Sequence, residues 1–206
     1  MSILVANCFD WIGFHLVNYL LENGFQVHGV DELKSTKKEH LSMFFARNDR
    51  FIFTTVQQIK DEEKVFDTAF IIDEYDINPI QAKQTIAIRN QEKCTYEDKT
   101  IVIEVPILFG EWMSMCENGV YKNNQFIRFD SEQFLNDAIY INDFIQGLMA
   151  RVENKNLFPM LHVLSIKCRQ KHIKLENVFY IRDNRPIEEN IKKVTEHYKR
   201  YRHFYK

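Results

Sequence analysis

Apolar and polar positions alternate along this chain in blocks that predict strands and helices in turn. Trp11 to Asn23 carries apolar residues on one face, which predicts a helix that Gly24 ends. Short apolar runs before and after it predict strands at 3–7 and 26–31. The same patterns continue to Val105, with strands predicted at 51–56, 68–73 and 100–105, helices at 37–47 and 79–92, and an acidic connection, KDEEKVFD, before the fourth strand. This order predicts a parallel sheet with helices on both faces.

The pattern is less regular beyond Pro106. A helix is predicted from Asp143, and a charged helix from Pro186 to near Tyr201. Strands are predicted between them, at 161–166 and 177–181. The predicted fold class is therefore α/β, a Rossmann-like doubly wound parallel sheet followed by a less regular C-terminal portion.

The turn between the first strand and the first helix is similar to a dinucleotide-binding loop that lacks two of its glycines. The pattern G-x-x-G-x-x-G falls on Asn7, Asp10 and Gly13. Asn7 tolerates the left-handed backbone that the first glycine supplies. Asp10 adds a side chain and a negative charge where a pyrophosphate would approach, although it is a good helix cap. Gly13 keeps the small size needed for packing between helix and strand.

A second acid stands where such a loop would meet the adenosine ribose. Asp31 ends the second strand, at the position from which an acid bonds the ribose hydroxyls. We therefore identify a vestigial cofactor site, made of Asn7, Asp10, Trp11, Ile12, Gly13 and Asp31. The alternative is that Asp10 only caps the helix and Asp31 only ends a strand.

Composition narrows the function classes. The 206 residues carry a net charge of −2, which gives no global argument for binding nucleic acid or membrane. No run is apolar enough for a membrane span, and the N-terminus lacks the pattern of a signal peptide. The scattered Cys8, Cys94, Cys116 and Cys168 indicate reduced thiols in a cytoplasmic protein, and no metal site is predicted.

Three further segments resemble one known family in the correct order. VIEVPILFGEW at 102–112 resembles its strand and Y/F-G-P turn, and NDAIYINDFIQGL at 136–148 its R-D-F-I-Y-V-D-D segment. RPIEENIKKVTEHYKRY at 185–201 is similar to its C-terminal helix. With the opening turn, they make the chain resemble an extended short-chain dehydrogenase/reductase of the NAD-dependent epimerase/dehydratase family, which acts on nucleotide sugars. The resemblance implies a Rossmann-like core at 1–110, and at 111–206 a reduced remnant of the substrate domain that packs on the core.

The chain departs from the family where the chemistry is expected. The family is typically longer, and the missing segment is expected near 74–78, before the Tyr-x-x-x-Lys of the active site. That motif falls on NPIQAKQ, with Ile80 at the tyrosine position and Lys83 one residue out of register. Ile80 has no titratable proton, so the resemblance implies no catalytic residue in this chain.

Substitutions near the expected sugar nucleotide also remove positive charge. Glu104 and Asn136 stand where the family usually has arginine, and Asn136 and Asp143 are the expected substrate-binding residues. The acidic cluster of Asp73, Glu74 and Asp76 is expected to be a solvated turn, since it lacks the pattern of a calcium loop.

Two function classes follow from the resemblance. The first is a pseudoenzyme that binds a partner protein or a nucleotide sugar, with no cofactor expected, although NAD or NADP remains an option for the vestigial site. The second is an altered but active NAD-dependent epimerase, dehydratase or oxidoreductase. The apolar surface of Ile80, Ile86 and Ile88 on the predicted 79–92 helix is expected to be covered by a partner, with a full-length relative favoured over a conventional homodimer. The basic, aromatic C-terminal tail is expected to dock on the core, with nucleic-acid binding as the less favoured alternative.

Overall fold

The computed structural model describes residues 2–73, 75, 80–90, 100–154, 157–171 and 177–205. The chain divides into two compact units. Unit 1 contains Met1–Arg89 and Lys93–Val102, and unit 2 contains Asn90–Glu92 and Ile103–Lys206.

Unit 1 is built on five parallel strands. The strands are β1 (Ser2–Ala6), β2 (Gln26–Val30), β3 (Phe51–Thr54), β4 (Val65–Ile72) and β5 (Gln81–Arg89). Their spatial order is β5-β4-β1-β2-β3, and each pair of neighbours is parallel. The helices are α1 (Trp11–Glu22), α2 (Thr36–Met43) and α3 (Val56–Asp61). This order, with its reversal between β1 and β4, is the one that places a ligand crevice at the carboxyl ends of those strands, and it confirms the predicted Rossmann-like fold class.

The prediction of a helix at 79–92 is wrong. Residues Gln81–Arg89 form β5, which pairs with β4 from Val65↔Gln81 to Ile72↔Ile88. Eight residues, 73–80, connect these two strands, and ten, 90–99, separate β5 from β6 (Thr100–Glu104). The predicted connection KDEEKVFD is also partly wrong, because its first two residues belong to α3.

Residues of the short β4–β5 connection cover apolar surface in unit 1. Tyr75 and Ile80 are partly buried against a cluster that includes Leu4, Phe66 and Ala69. Val30 and Ile59 complete the buried part of that cluster. Further along β5, Ile86 and Ile88 have no exposed surface. The apolar surface expected to need a dimer partner at Ile86 and Ile88 is therefore already buried.

The described residues of unit 2 form short strands and three α-helices. After β6, which runs through the sequence boundary between the units, its strands are β7 (Leu108–Phe109), β8 (Met115–Cys116), β9 (Gly119–Lys122), β10 (Gln125–Arg128), β11 (Ile139–Tyr140), β12 (Met160–Ser165) and β13 (Val178–Ile181). The helices are α4 (Glu132–Asp137), α5 (Ile141–Glu153) and α6 (Ile187–Arg200), with 3-10 turns at Ile166–Lys171 and Arg202–Tyr205. Strands β8, β9 and β10 form an antiparallel meander, whereas β7 with β11 and β12 with β13 form parallel pairs.

The C-terminal tail docks on an aromatic residue of unit 2. The ring of Trp112 is buried, and the rings of Tyr201 and Tyr205 lie 5.1 and 6.0 Å from it. The backbone N–H of Trp112 donates to the hydroxyl of Tyr205 over 2.8 Å. These contacts place aromatic side chains of the tail against Trp112 within unit 2. Among the residues that the structure describes, no helix has the length and apolar character that a membrane crossing requires.

Candidate functional site

The turn after β1 keeps the backbone shape of a glycine-rich loop. Asn7 has a φ of 59°, the left-handed conformation for which glycine is usually required. Its carbonyl accepts a hydrogen bond from Asp10 N–H over 3.0 Å. A Cβ on Gly13 would lie 2.3 Å from that same carbonyl oxygen. Asn7 and Gly13 therefore preserve the tight passage from strand to helix.

Asp10 occupies the N-terminus of α1. Its Oδ1 accepts a hydrogen bond from Ile12 N–H over 2.9 Å, which makes it the N-cap residue. Burial raises the pKa of its carboxyl group to about 6, with a further contribution from the nearby charge of Asp73. An anionic side chain is thus bonded at the helix end that dinucleotide-binding folds use for phosphates.

The side chains of Trp11 and Ile12 contribute mainly to packing. Ile12 has no exposed surface, and Trp11 is 9% exposed. The backbone N–H of Ile12 is the donor to Asp10. The Ile12 N–H, which could otherwise donate to a ligand in this turn, is therefore already hydrogen-bonded within the protein.

Asp31 lies directly after β2, and its side chain is fully buried. Its Oδ2 accepts a hydrogen bond from Phe9 N–H over 2.7 Å, and its Oδ1 one from Glu32 N–H over 2.6 Å. Both carboxylate oxygens are therefore bonded to the backbone. Asp31, the residue predicted to meet a ribose, therefore lies next to the turn.

Lys38, a residue that the sequence analysis did not select, reaches this acid. Its Nζ lies 2.5 Å from Asp31 Oδ1 and 2.8 Å from Asn7 Oδ1. Ser35 caps α2 by accepting from Lys38 N–H, which fixes the position from which the side chain extends. The ammonium therefore links the carboxyl ends of β1 and β2. The only sequence signal was a lysine at the start of a helix that follows Asp31.

The positions at which the family resemblance places catalysis make other contacts in unit 1. Ile80 packs against the apolar cluster of unit 1, and Lys83 Nζ lies 2.7 Å from Asp67 Oδ1 at an exposed site. The Lys83 ammonium and Ser2 N–H lower the pKa of Asp67 to about 2.

One tyrosine–lysine pair lies in the interval between β5 and β6. Tyr96 precedes Lys99 by three residues, one fewer than in Tyr-x-x-x-Lys. Both residues lie outside the described part of the chain, as do Cys94 and two members of the acidic cluster, Glu74 and Asp76.

The predicted substrate-binding residues make internal contacts in unit 2. Asp143 is buried near the start of α5, and its carboxylate accepts hydrogen bonds from the side chain and backbone of Asn184, at 2.7 and 3.3 Å. Burial raises its pKa. Asn136 lies in α4, where its carbonyl accepts from the thiol of Cys168 over 3.3 Å. Glu104 Oε2 is 3.0 Å from His162 Nδ1.

A buried acid in unit 2 forms a second network that the sequence analysis missed. The hydroxyl of Tyr140 donates to Glu111 Oε2 over 3.0 Å, and Lys193 Nζ lies 2.7 Å from Glu111 Oε1. The same Nζ donates to the Tyr140 hydroxyl over 2.8 Å. Burial and the charge of Glu111 raise the pKa of Tyr140 to about 12, so the phenol stays protonated at neutral pH. The triangle attaches α6 to the segments after β7 and at β11. Within the described residues, no cluster of three or more His, Cys, Asp or Glu side chains could hold a metal ion.

Comparison with known proteins shows likeness in structure without likeness in sequence. No protein-family model matches the chain, and no curated protein matches it. Among solved structures, it is similar to dTDP-glucose 4,6-dehydratase from Bacillus anthracis in complex with NAD, with a TM-score of 0.63 and 10% identity, covering 100% of this chain and 98% of the other.

Two further enzymes give the same result. UDP-glucose 4-epimerase from Thermotoga maritima, solved with UDP-glucose, has a TM-score of 0.57 at 13% identity, over 97% of this chain and 99% of that one. Yeast methylglyoxal/isovaleraldehyde reductase, complexed with NADPH, has a TM-score of 0.58 at 10% identity, over 99% and 100%. Similarity at this level of identity establishes architecture and leaves activity open. This chain therefore has the Rossmann-like fold of the NAD-dependent epimerases, dehydratases and related reductases.

Proposed function

We propose that this protein is a non-catalytic relative of the NAD-dependent epimerases and dehydratases, which acts by binding a partner protein or a nucleotide sugar. The observation that carries the proposal is the contact of the Lys38 ammonium with Asp31 and Asn7. An internal cation bonds the acid that would otherwise meet the cofactor ribose.

The residues of the turn do not fit a dinucleotide. A pyrophosphate needs N–H donors and positive potential at the N-terminus of α1, but Asp10 supplies a carboxylate there that already accepts from Ile12 N–H. A ribose diol needs two acceptor positions on the acid after β2, but Phe9, Glu32 and Lys38 already donate to three of the roughly four that the Asp31 carboxylate offers. Cofactor binding would have to break the Lys38 contact and bring phosphates close to Asp10.

The contacts of the expected catalytic positions support the same proposal. General acid/base chemistry on a sugar hydroxyl needs a titratable group at the reacting atom. Ile80 has none and is packed in an apolar cluster, whereas Lys83 is paired with Asp67. Glu104 and Asp143, near the expected sugar nucleotide, bond to His162 and Asn184 instead.

Calorimetric titration of the full-length protein tests the proposal. We expect no heat of binding with NAD or NADP at millimolar concentration and no turnover of UDP-, dTDP- or GDP-sugars with added cofactor. Saturable NAD binding by the unmodified protein, or turnover of a nucleotide sugar, would overturn it. A sugar nucleotide that binds without cofactor would favour a sensor or scaffold, and the absence of both would favour a protein partner.

A matched pair of variants makes the test specific to the Lys38 contact. Lys38→Met removes the ammonium from Asp31, whereas Lys34→Met removes one that pairs only with the exposed Glu32. If the internal cation excludes the ribose, NAD affinity should rise with Lys38→Met and stay unchanged with Lys34→Met. A combined Asp10→Gly, Lys38→Met variant should show the larger gain, because it also removes the charge opposing the phosphates.

The alternative is an altered but active oxidoreductase or epimerase that uses other groups for catalysis, with Asp31 selecting NAD. It requires measurable affinity for NAD or NADP, so titration calorimetry that shows none at millimolar cofactor would exclude it.

A further inference from the structure

The C-terminal end of unit 2 carries a concavity with a basic lining. Its volume is about 410 Å³, and the described residues that line it are Lys199, Arg200, Arg202 and His203. All four are exposed to solvent. A space of this size falls in the range that small-molecule sites occupy, about 300–1,000 Å³. Because the whole chain carries a net charge of −2, the positive charge of this lining is a local feature of the surface.

The backbone that carries Arg202 and His203 is held by contacts of the neighbouring aromatic residues with Trp112. Arg202 and His203 lie between Tyr201 and Phe204, whose rings are 5.1 and 6.0 Å from the buried ring of Trp112. One residue further, Tyr205 accepts a hydrogen bond from Trp112 N–H. The tail is thus attached on both sides of the two cationic residues. Such preorganisation lowers the ordering cost that a ligand must offset on binding.

Tyr205 also contacts a residue of α6, His197. The Tyr205 hydroxyl lies 2.6 Å from His197 Nδ1, and the two rings meet at 5.9 Å. His197 also packs edge-on against Trp112 at 4.3 Å. The last turn of α6 and the 3-10 turn that follows it therefore share one aromatic anchor, which fixes the backbone that carries their cations.

The helix dipole accounts for only half of the lining. Lys199 and Arg200 belong to the last turn of α6, where positive charge complements the negative end of the helix. Arg202 and His203 lie beyond the helix, in the 3-10 turn. The neighbouring Glu117 reaches Lys199 at 3.2 Å, in a pair of which both members are more than half exposed. Exposed pairs of this kind contribute little, so a stronger anion can displace the carboxylate.

From this arrangement we infer that the concavity binds a small ligand carrying two or more linked phosphate groups. Two guanidinium groups and an ammonium can donate to several phosphate oxygens at once, and arginine does so with a matching planar fork. A single nucleic-acid backbone would need a longer track of cations than one concavity supplies. This inference concerns unit 2 and does not depend on the function proposed for the turn of unit 1.

Titration calorimetry of the full-length protein with inorganic pyrophosphate in 50 mM NaCl tests the inference. We expect saturable binding with a dissociation constant below about 1 mM, a scale typical of weak small-ligand sites. Arg202→Ala should weaken it about tenfold, as expected for the loss of one charged hydrogen-bonding group. The control Lys192→Ala removes an exposed charge from α6 outside the lining and should change the affinity less than twofold.

Further ligands distinguish a free nucleotide from a bare phosphate chain as the source of the phosphate groups. Binding of ATP more tightly than of tripolyphosphate would assign the site to a free nucleotide, whereas equal binding would assign it to the phosphate chain alone. The inference is overturned if pyrophosphate does not bind, or if Lys192→Ala and Arg202→Ala weaken binding equally. It is also overturned if a 20-nucleotide RNA binds at the same residues at least a hundredfold more tightly than pyrophosphate. Because Arg202 is exposed, an unchanged urea midpoint will show that the variant is folded.

Discussion

The ammonium of Lys38 lies 2.5 Å from a carboxylate oxygen of Asp31, whose side chain has no exposed surface. The contact joins residues at the ends of two different elements, because Asp31 follows β2 and Lys38 lies in α2. Charged pairs of this kind are costly to break from one side, since the remaining buried charge is left without its partner.

Lys38→Ala should therefore lower the free energy of unfolding by about 2 kcal/mol, a discounted value because the lysine is partly exposed. Urea denaturation at pH 7 provides the measurement. Lys34→Ala breaks only the exposed pair with Glu32 and should cost less than about 0.5 kcal/mol. Equal losses in the two variants would show that the Lys38 contact contributes no more than a surface pair.

Asp10→Asn should stabilise the protein at neutral pH and not in acid. Below about pH 4 the Asp10 carboxyl is protonated in both states. Between about 4 and 6, the unfolded chain loses a proton that the folded chain keeps, because burial raises the folded pKa to about 6. The free energy of unfolding therefore falls as the pH rises through this window.

Asparagine is as good an N-cap as aspartate and does not ionise, so Asp10→Asn should gain about 1–2 kcal/mol at pH 7 and almost nothing at pH 4. Denaturation at the two pH values measures the difference. Asp10→Ala is the control for the cap itself and should lose about 1 kcal/mol at pH 4. A gain from Asp10→Asn that is the same at both pH values would contradict the assignment to this carboxyl group.

Gly13→Ala should destabilise unit 1 strongly. The added methyl group would lie 2.3 Å from the carbonyl oxygen of Asn7 and 3.0 Å from the Cα of Cys8, both backbone atoms that cannot move independently. We expect a loss of about 3 kcal/mol from this overpacking. Gly147→Ala in α5 is the matched control, because its methyl would meet the movable end of the Phe179 ring. Thermal denaturation followed by circular dichroism should show a clearly lower midpoint for Gly13→Ala than for Gly147→Ala.

Lys193→Met should weaken the attachment of α6 in unit 2. The substitution leaves the buried Glu111 carboxylate with the Tyr140 hydroxyl and without its cation. Because the Lys193 side chain is 54% exposed, solvent screens the pair, and we expect a discounted loss of about 1 kcal/mol. Tyr140→Phe removes only the hydroxyl and should also cost about 1 kcal/mol. Lys192→Met serves as the exposed control on the same helix.

A double-mutant cycle between Lys193→Met and Tyr140→Phe separates the shared network from two independent effects. Because the three groups contact one another, the losses should not add. Strict additivity would mean that Lys193 and Tyr140 act on Glu111 independently.

Sequence patterns predicted the first half of unit 1 well. The β1-α1-β2 unit combines strong periodicity with local end signals: Asp10 caps α1 and Gly24 follows it, so boundaries and types agree with the structure. Asn7 in the left-handed region and Gly13 against its carbonyl were also predictable, because each depends on one residue and its local backbone.

The helix prediction for QAKQTIAIR, residues Gln81–Arg89, failed for a physical reason. Gln, Ala, Lys and Arg favour helix when taken alone, and Pro79 resembles a helix start. The segment nevertheless pairs along its length with β4 as strand β5. Pairing between distant segments overrode local preference, and no periodicity within one segment reports it.

The positions of Asp10 and Asp31 at the ends of their elements were predictable, whereas their contacts were not. Asp31 and Asp10 were identified from their positions after a strand and before a helix. Lys38 was missed because α2, TKKEHLSM, is polar on most of its surface and its sequence does not say which side chain turns toward the sheet. The Glu111, Tyr140 and Lys193 triangle joins residues as far as 82 positions apart, a relation that only the fold creates.

Lys38 also changes what sets the stability of this chain in a cell. A protein that binds a diffusible cofactor gains stability in proportion to the logarithm of the cofactor concentration. The fraction of such a protein that is folded therefore depends on how much cofactor the cell contains. Here the cation bonded to Asp31 is covalently part of the polypeptide and is present in every copy at a fixed ratio of one. The stabilisation from this contact is therefore acquired at synthesis and is independent of the supply of any small molecule.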